Sequence, residues 1–269
     1  MSSSKGVIVR AVGLPDLHQG PTGVAILARR PMPKLPGCDI GCGMALFATR
    51  VPADMARDRV ARCMARMDLD VGERPADPDF GTIGGGNHFA ELLVLDPDVT
   101  LAPEISDLLS RHEGSSSCPS DLYGHALLLV HSGSRGHGAE AYSEHSDGHD
   151  LDGYMKAHLD CVEWARRNRA EIARRFLAQF SGGAGGGANA AGEHDPPPAT
   201  SFDGIGSAAD ASSPSVLVDI AHNWIEPLPD GTFLHRKGAA PSRPGSLSLL
   251  PGSRATSSYV LVCDGRLER

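Results

Sequence analysis

Short apolar runs broken by glycine- and proline-rich turns fill most of this chain, and one stretch carries a long helical period. VIVRAVGLP (7–15) reads as a buried strand running into a turn, DLHQGPTG (16–23) as loop, and VAILA (24–28) as a second strand. PMPKLPGCDIGCGM (31–44) is punctuated by Pro and Gly, and ALFATRV (45–51) is strand-like. PADMARDRVARCMARMD (52–68) predicts an amphipathic helix, with Val60, Cys63, Met64 and Met67 on one face and Pro52 near its start. HFAELLVL (88–95) predicts a strand leaving the glycine turn, SDLLSRHEGSSSCPSD (106–121) a short helix ending in a Ser-rich loop, and HALLLVHSGSRGHG (125–138) a strand ending at His131 in a Gly/Ser loop.

The helical period lies in 155–180, where Met155, Leu159, Val162, Ala165, Ile172 and Phe176 form an apolar stripe. Arg166, Arg167, Arg169, Arg174 and Arg175 on this helix have two readings, phosphate contacts or a solvated face. Residues 181–214 are low-complexity, with too little apolar surface to order themselves, and read as a disordered insertion. Strand-like text resumes at once with SVLVDIAHNW (215–224), so residues 1–269 are read as a single domain. The mixture predicts an α+β fold, a mixed β-sheet core with flanking helices.

Composition narrows the function classes. Hydrophobic residues make up 41% of the 269, enough for a core, while aromatics at 5% leave aliphatic side chains to fill it. A net charge of −8 argues against a general nucleic-acid coat protein, but not against an enzyme whose positive charge comes from bound metal. The six Cys are scattered, and neither a signal peptide nor an apolar span is present, which predicts a cytoplasmic protein with reduced thiols and no membrane partner.

Candidate chemistry concentrates where strands and tight turns present metal-ligand side chains: Asp39 and Cys42 in CDIGCGM, His88 in GGGNHF, His131 after LLLV, and His222 in VDIAHNW. One carboxylate, one thiolate and several imidazoles suit a pair of divalent ions, and the soft thiolate by itself favours zinc over manganese. HRKGAAP (235–241) and PGSRATSS (251–258) offer anion contacts through basic side chains, hydroxyls and backbone N–H groups, or are an exposed basic turn and an ordinary loop. The chain has neither a P-loop nor a nucleophile elbow.

Taken in order, LPDLHQG, DIGCGM, GTIGGGNHFAE, VHSGSRG, AHNWIEP, HRKGAAP and PGSRATSSYV resemble the RtcB-type RNA ligases, with HRKGAAP and PGSR closest to the branch encoded beside peptide release factor H. The resemblance runs from residue 7 to 262 apart from the low-complexity stretch. It implies an RtcB-like fold and a protein that joins RNA 3′-phosphate or 2′,3′-cyclic phosphate ends to 5′-hydroxyl ends, using GTP and Mn2+ in RNA repair or tRNA splicing. It implies that Asp39, Cys42, His88, His131 and His222 hold two Mn2+ ions, with Cys42 bridging them. Asn87, His88, Phe89, Ala90 and Glu91 would line the GMP site, and His222 with Asn223 would lie on its phosphate side. Pro251, Gly252, Ser253, Arg254 and Ser258 would hold the nucleoside. The glycines of GTIGGG let backbone approach a nucleotide closely.

The resemblance breaks at both ends. The family's guanylylated histidine lies in an HGAGR segment well after SYV, and no HGAGR occurs here; LVCDGRLER follows Val260. HGAE (137–140) belongs to the loop after His131, and the family's guanine-contacting lysine has no match. The family also has a segment before the first central strand, and Arg254 and Ala255 replace Met and Gly of the main branch. These departures predict a domain truncated at its C-terminus, with no catalytic nucleophile among these residues and no self-guanylylation. The alternatives are a metal- and RNA-end-binding protein that does not ligate, and a metal-dependent phosphoesterase.

Overall fold

The computed structural model describes residues 6–20, 22–55, 60–61, 77–103, 105–107, 119–181, 214–253 and 256–264. The low-complexity stretch 181–214 lies outside them except at its two ends, as do most of the expected helix 52–68 and of 106–121. Strands β1 (Ile8–His18), β2 (Thr22–Ala28), β3 (Cys42–Pro52), β4 (Phe89–Leu93), β5 (His125–Ser132), β6 (Ser215–Pro227) and β7 (Phe233–Lys237) form one sheet in the order β1-β2-β7-β6-β3-β5-β4. Strands β8 (Leu247–Leu250) and β9 (Tyr259–Val262) pair separately. Helices α1 (Pro119–Gly124), α2 (Gly136–His145) and α3 (Leu151–Ser181) complete the described elements.

The α+β class is as expected, but the sheet is antiparallel at every described pairing rather than mixed. Pro52 ends β3 instead of opening a helix, while Val60 and Ala61 are helical. The expected buried first strand is also corrected. Among the described residues β1 pairs only with β2, and Ile8, Val9, Val12 and Leu17 are exposed, because β1 is the edge of the described sheet. It also continues to His18, through a stretch that reads as loop.

The two faces of the sheet bury different things. On one, Ala45, Phe47, Leu128 and Val130 pack against Ile172, Ala173 and Phe176 of α3. On the other, Leu46, Leu129 and Val218 pack with Met44, Phe89 and Ile220 and receive Leu247, Leu249 and Val260 of the β8–β9 hairpin. α3 is 31 residues long, and the Asp150 side chain caps it by accepting the Gly153 N–H at 2.8 Å. At α2 the start is capped from a distance, since Asp79 Oδ2 accepts the Gly136 N–H at 3.0 Å. No described helix is long and apolar enough to cross a membrane. Cys38, Cys42, Cys161 and Cys263 are free thiols.

Candidate metal centre

Neighbouring central strands deliver the ligand side chains. Cys42 opens β3, His131 is the penultimate residue of β5, opposite Met44, and His222 lies on β6 next to the Asn223 that pairs with Cys42. β4 adds His88 just before Phe89, which is registered with His131. Asp39 comes from the turn before β3. The sheet register therefore collects side chains from positions 39 to 222 at one end of the sheet.

Two sets of donor atoms result, Cys42–His131–His222 and Asp39–Cys42–His88, with the donors of each within 4.8 Å of one another. Cys42 Sγ belongs to both, 3.1 Å from His131 Nε2 and 3.3 Å from His88 Nε2. His131 Nε2 and His222 Nε2 are 3.3 Å apart, and His88 Nε2 lies 3.5 Å from Asp39 Oδ2. Ligands bound tetrahedrally at about 2.0–2.3 Å sit about 3.3–3.8 Å apart, so three of these spacings fall in the range of a set gathered around an ion and the Cys42–His131 pair is slightly tighter.

Proton positions support the same conclusion. His88 Nδ1 lies 3.1 Å from the Ile83 carbonyl and His131 Nδ1 lies 3.1 Å from the Asn87 carbonyl, so each Nδ1 carries the proton and donates it. Both Nε2 atoms then present lone pairs to the centre, the tautomer that metal binding needs. Burial, then the charge of His88, lowers the His131 pKa to about 4; burial, then His131, lowers that of His222 to about 3. Both rings are neutral near pH 7. Burial, then the Asp39 charge, pushes the Cys42 thiol far up, so a cation must draw its proton off. Burial raises the Asp39 carboxyl, but the adjacent His88 and Cys42 side chains outweigh it and lower the pKa. Lone pairs converging on a shared thiol suit divalent metal.

The other expected site residues lie before and on β4, on β6 and in the loop between β8 and β9. Asn87 is exposed, and its carbonyl serves His131. Phe89 stands edge-on to His131 with ring centroids 5.5 Å apart. Glu91 lies two residues further along β4, on the Phe89 side, whereas Ala90 faces α3. Asn223 is buried; its Nδ2 donates to the Pro36 and Asp39 carbonyls at 3.2 and 2.5 Å, and its Oδ1 has no partner among the described residues. Pro251, Gly252, Ser253 and Ser258 form the loop joining β8 to β9, where the Ser258 hydroxyl accepts the Gly252 N–H at 2.9 Å. Arg254 lies outside the described residues.

The other basic residues that had two readings are mostly paired within the fold. Arg169 is buried and paired with Asp219, Arg166 pairs with Glu163, and Arg174 and Arg175 pair with Glu171. Arg167 lies over the Phe80 ring. His235 is buried, its Nε2 accepting the Met32 N–H, and buried Arg236 pairs with Glu226, so HRKGAAP is not an exposed basic turn. Sequence reasoning missed Asn168 as well as Asp219. The signal available for Asp219 was an acidic residue inside an apolar strand.

No family profile matches the chain. RNA-splicing ligase RtcB2 of Escherichia coli is 31% identical to it, over 94% of this chain and 63% of the relative. The chain thus spans less than two thirds of that relative's length. Over nearly all of its residues the chain is similar to an RtcB-type RNA-splicing ligase.

Proposed function

We propose that this protein is of the GTP- and Mn2+-dependent RNA ligase type, which joins RNA 3′-phosphate or 2′,3′-cyclic phosphate ends to 5′-hydroxyl ends, and that these 269 residues alone do not carry out the guanylylation step. The observation that carries this reading is the sharing of Cys42 between two donor sets in a chain 31% identical to an RNA-splicing ligase. Asp39, Cys42, His88, His131 and His222 hold two Mn2+ ions in this reading, with Cys42 common to both. The ions supply charge neutralisation at a triphosphate and at the reacting phosphate. Asn87, Phe89, Glu91, Pro251, Gly252, Ser253, Arg254 and Ser258 line the guanosine nucleotide, with the β8–β9 hairpin and β4 as its walls; Ala90, whose side chain packs toward α3, contributes backbone alone. Asn223 steadies the Asp39 turn, and its free Oδ1 accepts a hydroxyl or water proton on the phosphate side.

None of the 269 residues is assigned as the guanylylated nucleophile, since HGAGR does not occur among them. The test therefore separates binding from covalent chemistry. Purified chain is titrated with Mn2+ and GTP, and its intact mass is read after incubation with both. Binding of two ions and reversible GTP binding, with no added mass, is the expected result. A GMP adduct would place the nucleophile within this chain and overturn that assignment. Absence of both Mn2+ and GTP binding would overturn the ligase reading. Release of phosphate from 3′-phosphorylated RNA would replace it with the phosphoesterase reading.

A further inference from the structure

Every segment that carries a candidate ligand is tied to one pair of adjacent residues on α3. Arg169 is 1% exposed. Its Nε and Nη2 donate to Asp219 Oδ1 at 3.0 and 2.6 Å, and its Nη1 donates to the carbonyls of Gly41 and Ser132, both at 2.9 Å. Gly41 immediately precedes Cys42, Ser132 immediately follows His131, and Asp219 lies on β6 with His222. Asn168, fully buried, reaches the remaining segment. Its Oδ1 accepts the Gly81 N–H at 2.6 Å, and its Nδ2 donates to the Thr82 carbonyl at 3.1 Å and Ser132 Oγ at 3.3 Å. Ser132 Oγ in turn donates to the Ile83 carbonyl, which also receives the Nδ1 proton of His88.

We propose that Asn168 and Arg169 are positioning residues that preset the spacing of the donor atoms, Arg169 for both ion positions and Asn168 for the one that includes His88. The proposal rests on the metal reading above. The rigid, planar guanidinium suits this task because its donors leave in fixed directions toward three segments at once. Lysine has one nitrogen and cannot reach all of them. The Asn168 carboxamide uses an acceptor and a donor on one loop, which aspartate cannot reproduce. A buried ion pair is weak evidence for stability, so specificity of geometry is the stronger reason for its presence. Loss of such outer-shell contacts typically weakens metal binding about 10–100-fold.

The test uses the full chain with Mn2+ affinity, ion stoichiometry, the cobalt–thiolate absorption of Cys42 and thermal melting. R169K keeps the charge, and R169M/D219N leaves no unpaired charge behind. Each is expected to bind both ions about 10–100-fold more weakly and to shift the cobalt band. N168S is expected to weaken one ion and spare the other, an asymmetry that general loosening of the fold would not produce. If the arginine variants do not melt cooperatively, N168S decides alone. Folded variants holding two ions within twofold of the unaltered affinity overturn the positioning role and leave the metal reading intact. An unaltered chain that holds no divalent ion overturns the metal reading itself.

Discussion

The thiol of Cys42 lies 3.1 Å from Nε2 of His131, and the strands that carry them, β3 and β5, are antiparallel neighbours. Few motions can separate the two atoms without breaking the central ladder. Cys42 is also the one donor that both candidate ion positions share. Replacing it should therefore affect both ions, whereas replacing His222 should affect only one.

Cys42→Ser substitutes a hydroxyl that ionises far less readily than a thiol. Binding of both ions should weaken at least about tenfold, because the bridging anion is lost. His222→Ala should lose the ion of the Cys42–His131–His222 set and keep the other. Metal content after dialysis, with titration of each variant, checks both. Equal occupancy in C42S and the unaltered chain would remove Cys42 from the centre.

A second prediction concerns Gly133. A Cβ built there lies 2.3 Å from Asp39 Oδ1 and 3.3 Å from the Cys42 Cα. Gly133→Ala must push the Asp39 carboxylate aside. Half of that side chain is exposed, so it has room to swing, and the global cost should stay near the low end of about 1–3 kcal/mol. The ion at Asp39–Cys42–His88 should weaken while the other is kept. A calorimetric titration that still resolves two equal-affinity ions would contradict this.

Most of the candidate ligands were legible in the sequence because they stand near a strand end or in a glycine turn, and such punctuation survives in one dimension; His222 lies inside β6 and was marked only by its place in the apolar run VDIAHNW. What orients the ligands was not legible. Arg169 stands in ARRNRAEIARR among arginines of the same local character, and only packing against Gly41, Ser132 and Asp219 sets it apart. The start of α2 was hidden for a related reason. SGSRGHG reads as loop, and the Asp79 cap on Gly136 comes from far along the chain. β1 shows the limit of apolar pattern, since its valines look like core and lie on an exposed edge.

Asn223 gives a third prediction. Its Nδ2 donates to two carbonyls of the turn that carries Asp39, and its own carbonyl accepts the Gly41 N–H at 2.8 Å. Asn223→Asp would face a carboxylate toward those carbonyl oxygens in a buried place. A loss of about 1–3 kcal/mol in unfolding free energy is expected, together with weaker metal binding. Urea unfolding of the metal-free chain isolates the first effect. An unchanged midpoint would mean that the amide does not hold the turn.

Acid sensitivity should come partly from His158, which lies outside the metal centre. The ring is buried, its Nε2 accepts the Ile225 N–H at 2.8 Å, and its Nδ1 faces the Tyr154 hydroxyl at 3.2 Å. Burial, then the charge of His235, lowers its pKa to about 3. In the unfolded chain the ring titrates near its ordinary value of about 6.5. The folded state is thus the poorer proton acceptor, and the stability His158 contributes is full above about pH 6.5 and lost as pH falls toward 3. At pH 5 the loss should be about 2 kcal/mol. His158→Gln retains an acceptor for the Ile225 N–H but takes up no proton. H158Q should start less stable at pH 7.5 and lose about 2 kcal/mol less than the unaltered chain on going to pH 5. Urea midpoints of both proteins at the two pH values, with metal chelated, give the comparison, because His131 and His222 then titrate alike in each. Parallel losses in the two proteins would show that His158 does not resist protonation in the fold.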